Sequence, residues 1–362
     1  MVHRMPKVLA SILAALLACG CVSTEAPRLR PVPGLGYHPR VDRQGERVAF
    51  VDGLAEGGTT VFVAEVGGGS SRPLLAFGAE YAVGENVVFS PNGKQVAVGL
   101  DVEAPIGEEN PIYLFDLEAG TNRIVGNGIP YLFDGPDVLY LTRWAYGGEE
   151  KDGATGPRLY RLTISSGETV KLLDAFAVWP VAVSERGLWF VGADYRRRPA
   201  SRYQHGLYVL PHGSAEPERV VDALAPGTGT RYVAPAHLRA DEGRFLFEKI
   251  VPGEKRGSHL EGFKQLFEVA FDGSEERQLT HADADHRLGG YLSDGRIVFT
   301  RTLPRPAPTA VPFVMNADGT GKTRVAPELE HAKITHVLEE SDLVVLYSQR
   351  PVQRLYVADL AR

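Results

Sequence analysis

The chain has 362 residues, of which 44% are apolar, and its 40 glycines and 25 prolines are spread along its length. This composition provides a sizeable core and frequent turns. All-β domains can exceed the usual domain size, so one domain accounts for most of the chain. The formal net charge of −6 at pH 7 disfavours nucleic acid as a partner, because nucleic acid is bound by a basic face.

Residues 1–18 have the features of an export signal. Arg4 and Lys7 precede an uncharged, mostly apolar run at residues 8–18. A membrane-spanning helix needs roughly 20 apolar residues, so this run is too short to cross a bilayer, and we exclude it from the fold.

Both cysteines of the protein, Cys19 and Cys21, follow this signal directly. Residues 16–21 read LLACGC, which resembles the lipobox of bacterial lipoproteins. The resemblance implies that one cysteine carries a diacylglyceryl group and, after cleavage, an amino terminus acylated with a palmitate-type chain. Leu16 favours Cys19, with Cys21 as the alternative. The competing interpretation is an ordinary cleaved signal, although a domain stabilised by disulfides would place cysteine pairs throughout its body.

The residues after the candidate cysteines favour an outer-membrane anchor. Gly20 or Val22 stands where, in lipoproteins of Gram-negative bacteria, an Asp resembles a signal for retention in the inner membrane. We therefore expect a protein anchored in the outer membrane and facing the periplasm. Residues 19–35 are interpreted as a lipidated tether that can also supply a closing strand, and residues 36–362 as the folded domain.

An internal repeat determines the predicted fold. Its unit is a turn, a β-rich strand, a variable loop, a second strand and a Gly-containing turn, and its clearest copies are residues 89–125 and 292–326. Five weaker copies keep this order, and the seven strand pairs recur roughly every 42 to 59 residues, as in propeller blades. The sequence thus predicts an all-β, seven-bladed β-propeller of four-stranded antiparallel blades. A six-bladed ring with an extra hairpin is the alternative.

The seventh unit ends after its third strand, at Arg362. The segment around Arg28 to Pro33 is therefore expected to supply the fourth strand, which would remove an open sheet edge. The turn-strand-loop-strand pattern, clearest in Ser90-Pro91-Asn92-Gly93 and in residues 312–319, resembles the repeat of TolB-like propellers. The resemblance covers the whole body and implies a propeller fold, while the drifted turns elsewhere do not transfer a specific partner.

The long connections between second and third strands form the predicted contact surface. In a four-stranded blade these connections open on one face of the ring, and irregular loops on a rigid frame are the usual place for recognition. Aromatic residues and Arg dominate binding hot spots. The predicted partner-binding residues are Trp144, Tyr146, Tyr195, Arg197, Tyr203, His259 and Phe263.

Two motifs suggest chemistry. Residues 318–323 end like a phosphate-binding loop, but Asn316 stands where that loop needs Gly and no helix follows, so we predict a tight turn and no nucleotide. Polar loop residues are the favoured interpretation of the densest group of possible metal ligands, which lies at residues 281–286. The weak metal candidates are His237, His281, Asp283, His286 and His336.

The function predicted from these features is a lipid-anchored envelope scaffold that binds a protein or peptide, without a cofactor. The sequence contains neither a Gly-x-Ser-x-Gly nor a His-Glu-x-x-His motif, which favours a protein that is not an enzyme. The alternative is a metal-dependent polysaccharide lyase or hydrolase with its site in the propeller channel.

Overall fold

The computed structural model describes residues 29–32, 37–53, 58–68, 70–78, 81–102, 110–145, 156–173, 176–194, 206–222, 236–239, 243–252, 262–281, 284–303, 309–338, 341–350 and 354–361. Within these ranges the chain forms 28 β-strands in seven four-stranded antiparallel sheets. None of the described residues belongs to a helix long and apolar enough to cross a membrane.

Each sheet is one blade, and the first strand of the chain, β1 (Leu29–Val32), belongs to the last blade. The first four blades follow in chain order. Blade 1 consists of β2 (Tyr37–Val41), β3 (Arg47–Gly53), β4 (Thr59–Glu65) and β5 (Ser71–Phe77). Blade 2 consists of β6 (Tyr81–Phe89), β7 (Gln95–Val102), β8 (Pro111–Asp116) and β9 (Thr121–Asn127). Blade 3 consists of β10 (Ile129–Asp134), β11 (Val138–Ala145), β12 (Gly156–Thr163) and β13 (Glu168–Lys171). Blade 4 consists of β14 (Phe176–Ser184), β15 (Gly187–Asp194), β16 (Gly206–Pro211) and β17 (Glu218–Asp222).

The last three blades repeat the same order. Blade 5 consists of β18 (Ala236–Arg239), β19 (Arg244–Pro252), β20 (Gly262–Ala270) and β21 (Arg277–Gln278). Blade 6 consists of β22 (His286–Tyr291), β23 (Ile297–Leu303), β24 (Thr309–Met315) and β25 (Thr323–Arg324). Blade 7 consists of β26 (His331–Leu338), β27 (Leu343–Arg350), β28 (Arg354–Asp359) and β1.

The blades form a closed ring of seven. The first strands of neighbouring blades contact one another all the way round, including β26 of blade 7 with β2 of blade 1. Strand β1 pairs antiparallel with β28, so that Leu29 lies opposite Ala358 and Val32 opposite Leu355. The predicted seven-bladed propeller closed by an N-terminal strand is confirmed, and the six-bladed alternative is wrong.

The core lies in the seams between neighbouring blades. Successive side chains of a strand point to opposite faces of its sheet, so each second strand supplies both of its neighbouring seams. In β3, Val48 and Phe50 pack in the seam with blade 7, whereas Ala49 and Val51 pack in the seam with blade 2. Because both sheet faces are buried, the second strands appear in the sequence as continuous apolar runs.

The two faces of the ring are built differently. We call the face that carries the turns between strands one and two and between strands three and four the tight-turn face. Arginines hydrogen bond to backbone carbonyls of the next blade here: Arg47 Nη1 to Gly93 O at 3.2 Å, and Arg296 Nη2 to Leu360 O at 2.8 Å. Gly93 has φ 67°, a conformation that favours glycine. The opposite face, where second strands end and third strands begin, is the long-loop face.

Candidate functional site

The predicted contact surface falls largely outside the described residues. This is the case for Tyr146, Tyr195, Arg197, Tyr203 and His259, and also for Cys19 and Cys21. Two of the predicted contact residues lie on strands at the long-loop face. Trp144 is opposite Pro157 in blade 3, and the half-buried Phe263 is opposite Val251 in blade 5.

Three of the candidate metal ligands are histidines on the first strands of their blades, and they lie at different distances from the long-loop face. His237 on β18 is opposite Leu246, and His336 on β26 is opposite Val345, which are equivalent places in the repeat. His286 on β22 is opposite Arg301 of β23. The place in β23 that is equivalent to Leu246 and Val345 is Val298, three residues earlier. His286 therefore lies about 10 Å closer to the long-loop face than the other two histidines.

The remaining metal candidates do not join them. His281 is exposed after β21, and Asp283 is outside the described part of the chain. Asp285 Oδ1 accepts a hydrogen bond from Lys264 N at 2.9 Å, which links blades 5 and 6. The described residues contain no group of three or more His, Cys, Asp or Glu side chains placed to hold a metal ion.

A buried carboxylate lies in the seam between blades 5 and 6, near the long-loop face. Glu248 is 3% exposed, and its Oε1 accepts a hydrogen bond from Leu288 N of blade 6 at 2.8 Å. Its Oε2 lies 3.2 Å from Lys264 Nζ but has no hydrogen bond. Burial raises the pKa of Glu248, and the charge of Lys264 partly opposes this shift.

The other blades show that this carboxylate is unusual. Thr300 occupies the equivalent place in blade 6, and its hydroxyl accepts a hydrogen bond from Ile334 N of blade 7 at 2.9 Å. A hydroxyl is therefore sufficient for the structural task of binding this backbone N–H. Glu248 performs the same task and brings a second buried oxygen and a charge. The residues at the equivalent places in the seven blades are Val51, Gly99, Thr142, Val191, Glu248, Thr300 and Tyr347.

An imidazole and a guanidinium form a cross-strand pair in the same seam. His286 and Arg301 are register partners, so their side chains leave the same face of blade 6, with Cβ atoms roughly 5 Å apart. His286 is 2% exposed and its ring lies against Phe299, with 5.5 Å between ring centroids. His286 Nδ1 and Arg301 Nε are both buried and have no hydrogen-bond partner.

The electrostatic surroundings keep this imidazole neutral. Burial lowers the pKa of His286 to about 4, and the charges of Arg301 and Lys322 act in the same direction. A hydrogen bond with the backbone of Ala284 raises the pKa, but by less. Burial and the charge of Arg301 also lower the pKa of Lys322. This end of the seam thus holds surplus positive charge, which favours an anion and disfavours a metal cation beside His286.

Sequence reasoning singled out His286 but missed Glu248, Lys264 and Arg301. The available signal was Glu248, a charged residue at a place that is uncharged in the other six repeats. Arg301 carried no such signal, because Asp52, Arg143 and Lys249 are charged at its equivalent places. Glu248 follows the apolar run Phe245-Leu246-Phe247, and Arg301 ends the run from Ile297 to Thr300. The predicted tight turn at residues 318–323 is found between β24 and β25, where Asp318 Oδ1 accepts a hydrogen bond from Thr320 N at 2.9 Å.

Comparison with known proteins shows the fold. No protein-family model matches the chain, and no curated protein does. The β-propeller domain of the trilobed protease from Pyrococcus furiosus is 14% identical with a TM-score of 0.58, over 93% of this chain and 95% of that domain. An oligogalacturonate lyase in complex with manganese is 11% identical with a TM-score of 0.52, over 94% of this chain and 99% of the lyase.

TolB from Acinetobacter baumannii is also similar. It is 15% identical with a TM-score of 0.48, over 79% of this chain, which spans 65% of TolB. The predicted propeller fold is confirmed by the seven four-stranded sheets and by the similarity to the propeller domain of the trilobed protease.

One functional prediction is wrong as it stands. The missing hydrolase motifs were interpreted as evidence that the chain is not an enzyme. The same fold, however, forms a domain of a protease and nearly the full length of a lyase. Missing motifs therefore do not argue against catalysis on this fold.

Proposed function

We propose that this protein is an exported, lipid-anchored propeller of the bacterial outer membrane that binds a periplasmic protein or peptide on its long-loop face. The proposal combines the lipobox resemblance at Cys19 or Cys21 with the unequal construction of the two faces. A closed ring is a rigid frame, and its irregular connections are the part suited to recognition.

The observation that carries this proposal is the direction of strand β1. Leu29 lies opposite Ala358, next to the turn where Leu360 N donates a hydrogen bond to Asp342 O, and Val32 lies opposite Leu355. The chain therefore enters the ring at the tight-turn face and runs towards the long-loop face. An anchor attached before β1 pulls on the tight-turn face.

The length of the tether limits how far the ring stands from the membrane. Cys19 is ten residues before Leu29, and an extended chain spans at most about 3.5 Å per residue, or roughly 35 Å in total. A tether of this length keeps the ring close to the membrane, and its attachment at the tight-turn face favours that face as the membrane side. The long-loop face points into the periplasm, where a soluble partner can reach it.

Site-specific photocrosslinking in the native envelope tests the binding face. A benzophenone amino acid replaces Tyr195 or Tyr203, which lie in the sequence between β15 and β16, and matched controls replace the exposed Glu118 or Asp294 on the tight-turn face. We expect one adduct of constant mass from the long-loop positions only. The same adduct from both faces, or from the tight-turn face alone, contradicts the proposed binding face.

The anchor is tested separately. Growth with an alkyne analogue of palmitate should label the wild-type protein, and the Cys19→Ser variant should lose the label while Cys21→Ser retains it. Loss of the label only in Cys21→Ser identifies the alternative cysteine. Labelling that survives in the double variant refutes the lipid anchor.

A further inference from the structure

The partly buried guanidinium of Arg301 has no counter-charge in the described structure. No carboxylate among the described residues forms an ion pair with it, and its Nε has no hydrogen bond. Two acidic groups of the seam are engaged elsewhere, since Glu248 pairs with Lys264 and Asp285 accepts a hydrogen bond from the backbone of blade 5. A buried charge usually has a partner, so this one requires an explanation.

A matched arginine elsewhere in the ring shows what is missing. Arg143 occupies the equivalent place in blade 3, also on the face towards the preceding blade. Its Nε donates a hydrogen bond to Asn127 O of blade 2 at 3.0 Å, and its guanidinium lies 4.8 Å from the ring centroid of Tyr160. The same repeat position can therefore satisfy an arginine within the fold, and blade 6 leaves its arginine available.

We propose that Arg301 and His286 form a subsite for the C-terminal residue of a peptide. Arg301 donates to the terminal carboxylate, and His286 Nδ1 accepts a hydrogen bond from the backbone N–H of the same residue. The subsite lies at the long-loop end of the seam between blades 5 and 6. Its assignment to the physiological partner depends on the proposed function, whereas the carboxylate subsite itself does not.

The chemistry of the two orphaned atoms supports this ligand. A guanidinium presents a planar fork that matches a carboxylate with two parallel hydrogen bonds. A neutral imidazole has one donor and one acceptor nitrogen, and the proposal assigns the lone pair to Nδ1. A peptide's last residue carries a carboxylate and an N–H donor on the two atoms bonded to its Cα, which complements a donor beside an acceptor.

Other ligands fit less well. A divalent cation at His286 would lie beside the uncompensated charge of Arg301. A phosphate can donate to the lone pair of Nδ1 only through a protonated P–OH oxygen, so inorganic phosphate is tested as the competing anion. A carboxylate without a neighbouring N–H, such as that of an acidic side chain, satisfies Arg301 only.

Three small probes separate these contacts without requiring the partner. N-acetylglycine has the carboxylate and the N–H, N-acetylsarcosine has the carboxylate alone, and N-acetylglycinamide has no carboxylate. Each is titrated into the full-length protein with ¹⁵N-labelled histidine in detergent, and the His286 ring nitrogen signals are followed by NMR. Inorganic phosphate is a fourth titration.

We expect N-acetylglycine to shift the His286 signals, N-acetylsarcosine to bind several-fold more weakly, and N-acetylglycinamide to bind about tenfold more weakly or worse. Arg301→Gln should abolish the N-acetylglycine response, whereas Arg143→Gln should leave it unchanged. A native dispersion of the other histidine signals in both variants establishes that they fold.

The possible contrary results are distinct. Equal binding of N-acetylglycine and N-acetylsarcosine overturns the His286 contact, and phosphate binding as tightly as N-acetylglycine overturns the choice of a carboxylate. If N-acetylglycine still shifts the His286 signals of Arg301→Gln and the shift saturates, the subsite as a whole is wrong. Because the probes need no partner, a failed crosslink and a failed titration identify different errors.

Discussion

Two seams of the ring show how differently this repeat can be filled. The closing seam between blades 7 and 1 is apolar: the rings of Phe50 and Phe62 stack with 5.5 Å between centroids, over Val345 and Val357. The seam between blades 5 and 6 has an apolar middle with charged groups at both ends. At the tight-turn end, Glu268 pairs with Arg244 and Arg277 at 3.3 and 2.8 Å.

The two seams depend on different interactions. The closing seam joins blade 7 to blade 1, and the burial of apolar side chains there stabilises the fold by an amount that does not depend on pH. The polar seam contains groups whose pKa values are shifted by burial, and such groups cluster at functional sites. The free energy of unfolding should therefore fall when a cavity is made in the closing seam. In the seam between blades 5 and 6 it should instead change with pH.

The largest effect is expected from the closing seam. Phe50→Ala removes a ring that is 1% exposed, and a cavity of this kind costs about 3 to 5 kcal/mol of unfolding free energy. Urea unfolding at pH 7 and pH 5 should show the same loss at both values. Ile124→Ala, at a 56% exposed position, is the control and should change stability by less than about 0.5 kcal/mol.

The second effect is the pH response of His286. The native pKa of about 4 lies below the ordinary value of 6.5, so the unfolded state binds the proton more readily between these values. This contribution to stability is complete above pH 6.5 and is lost as the pH falls through 4. Its full size is about 3 kcal/mol, at 1.36 kcal/mol per pKa unit.

Comparison of wild type with His286→Asn isolates that response. Urea midpoints from pH 7 to pH 4 should fall less steeply in the variant, whatever its stability at pH 7. Identical slopes would mean that the ring titrates normally. The charged groups that act on its pKa are Arg301, Lys322 and Asp285.

A third prediction concerns the hydroxyl that joins blades 6 and 7. Thr300→Val keeps the shape but removes the acceptor of Ile334 N, which leaves a buried donor unsatisfied at a cost of about 1 to 3 kcal/mol. Thr300→Ser retains the hydroxyl and should lose clearly less stability. A loss in Thr300→Val that is no larger than the loss in Thr300→Ser, in thermal unfolding, would contradict the predicted role of the hydroxyl.

The smallest effect is expected at Glu248, and its sign is opposite to that of His286. Because the native pKa is raised, the folded state binds the proton more readily, and the cost of burying the charge grows as the pH rises through the native pKa. Glu248→Gln keeps an acceptor for Leu288 N. The variant should therefore lose less stability than wild type between pH 5 and pH 8, as urea midpoints can measure.

The fold could be predicted from local signals, whereas most of the candidate site could not. Residues 89–125 contain their own turns and strands, so a repeat and its seven copies are visible along the chain. The closure of the ring by β1 could be predicted because the last unit lacks its fourth strand. The pairing of Glu248 with Leu288 N instead depends on how two blades pack, across 40 positions of sequence. The one local sequence signal of this pairing was the charged residue Glu248 at a place that is uncharged in the other repeats.

The pairing of Leu29 with Ala358 also sets the order in which this molecule can be completed. The closing strand is synthesised before the other strands of the ring, and its partner, β28, is synthesised after them. Contacts between such distant positions form slowly, because the loop must close before the contact contributes. The first strand must therefore wait with its backbone groups unpaired until β28 is synthesised, and only then can the seventh blade be completed.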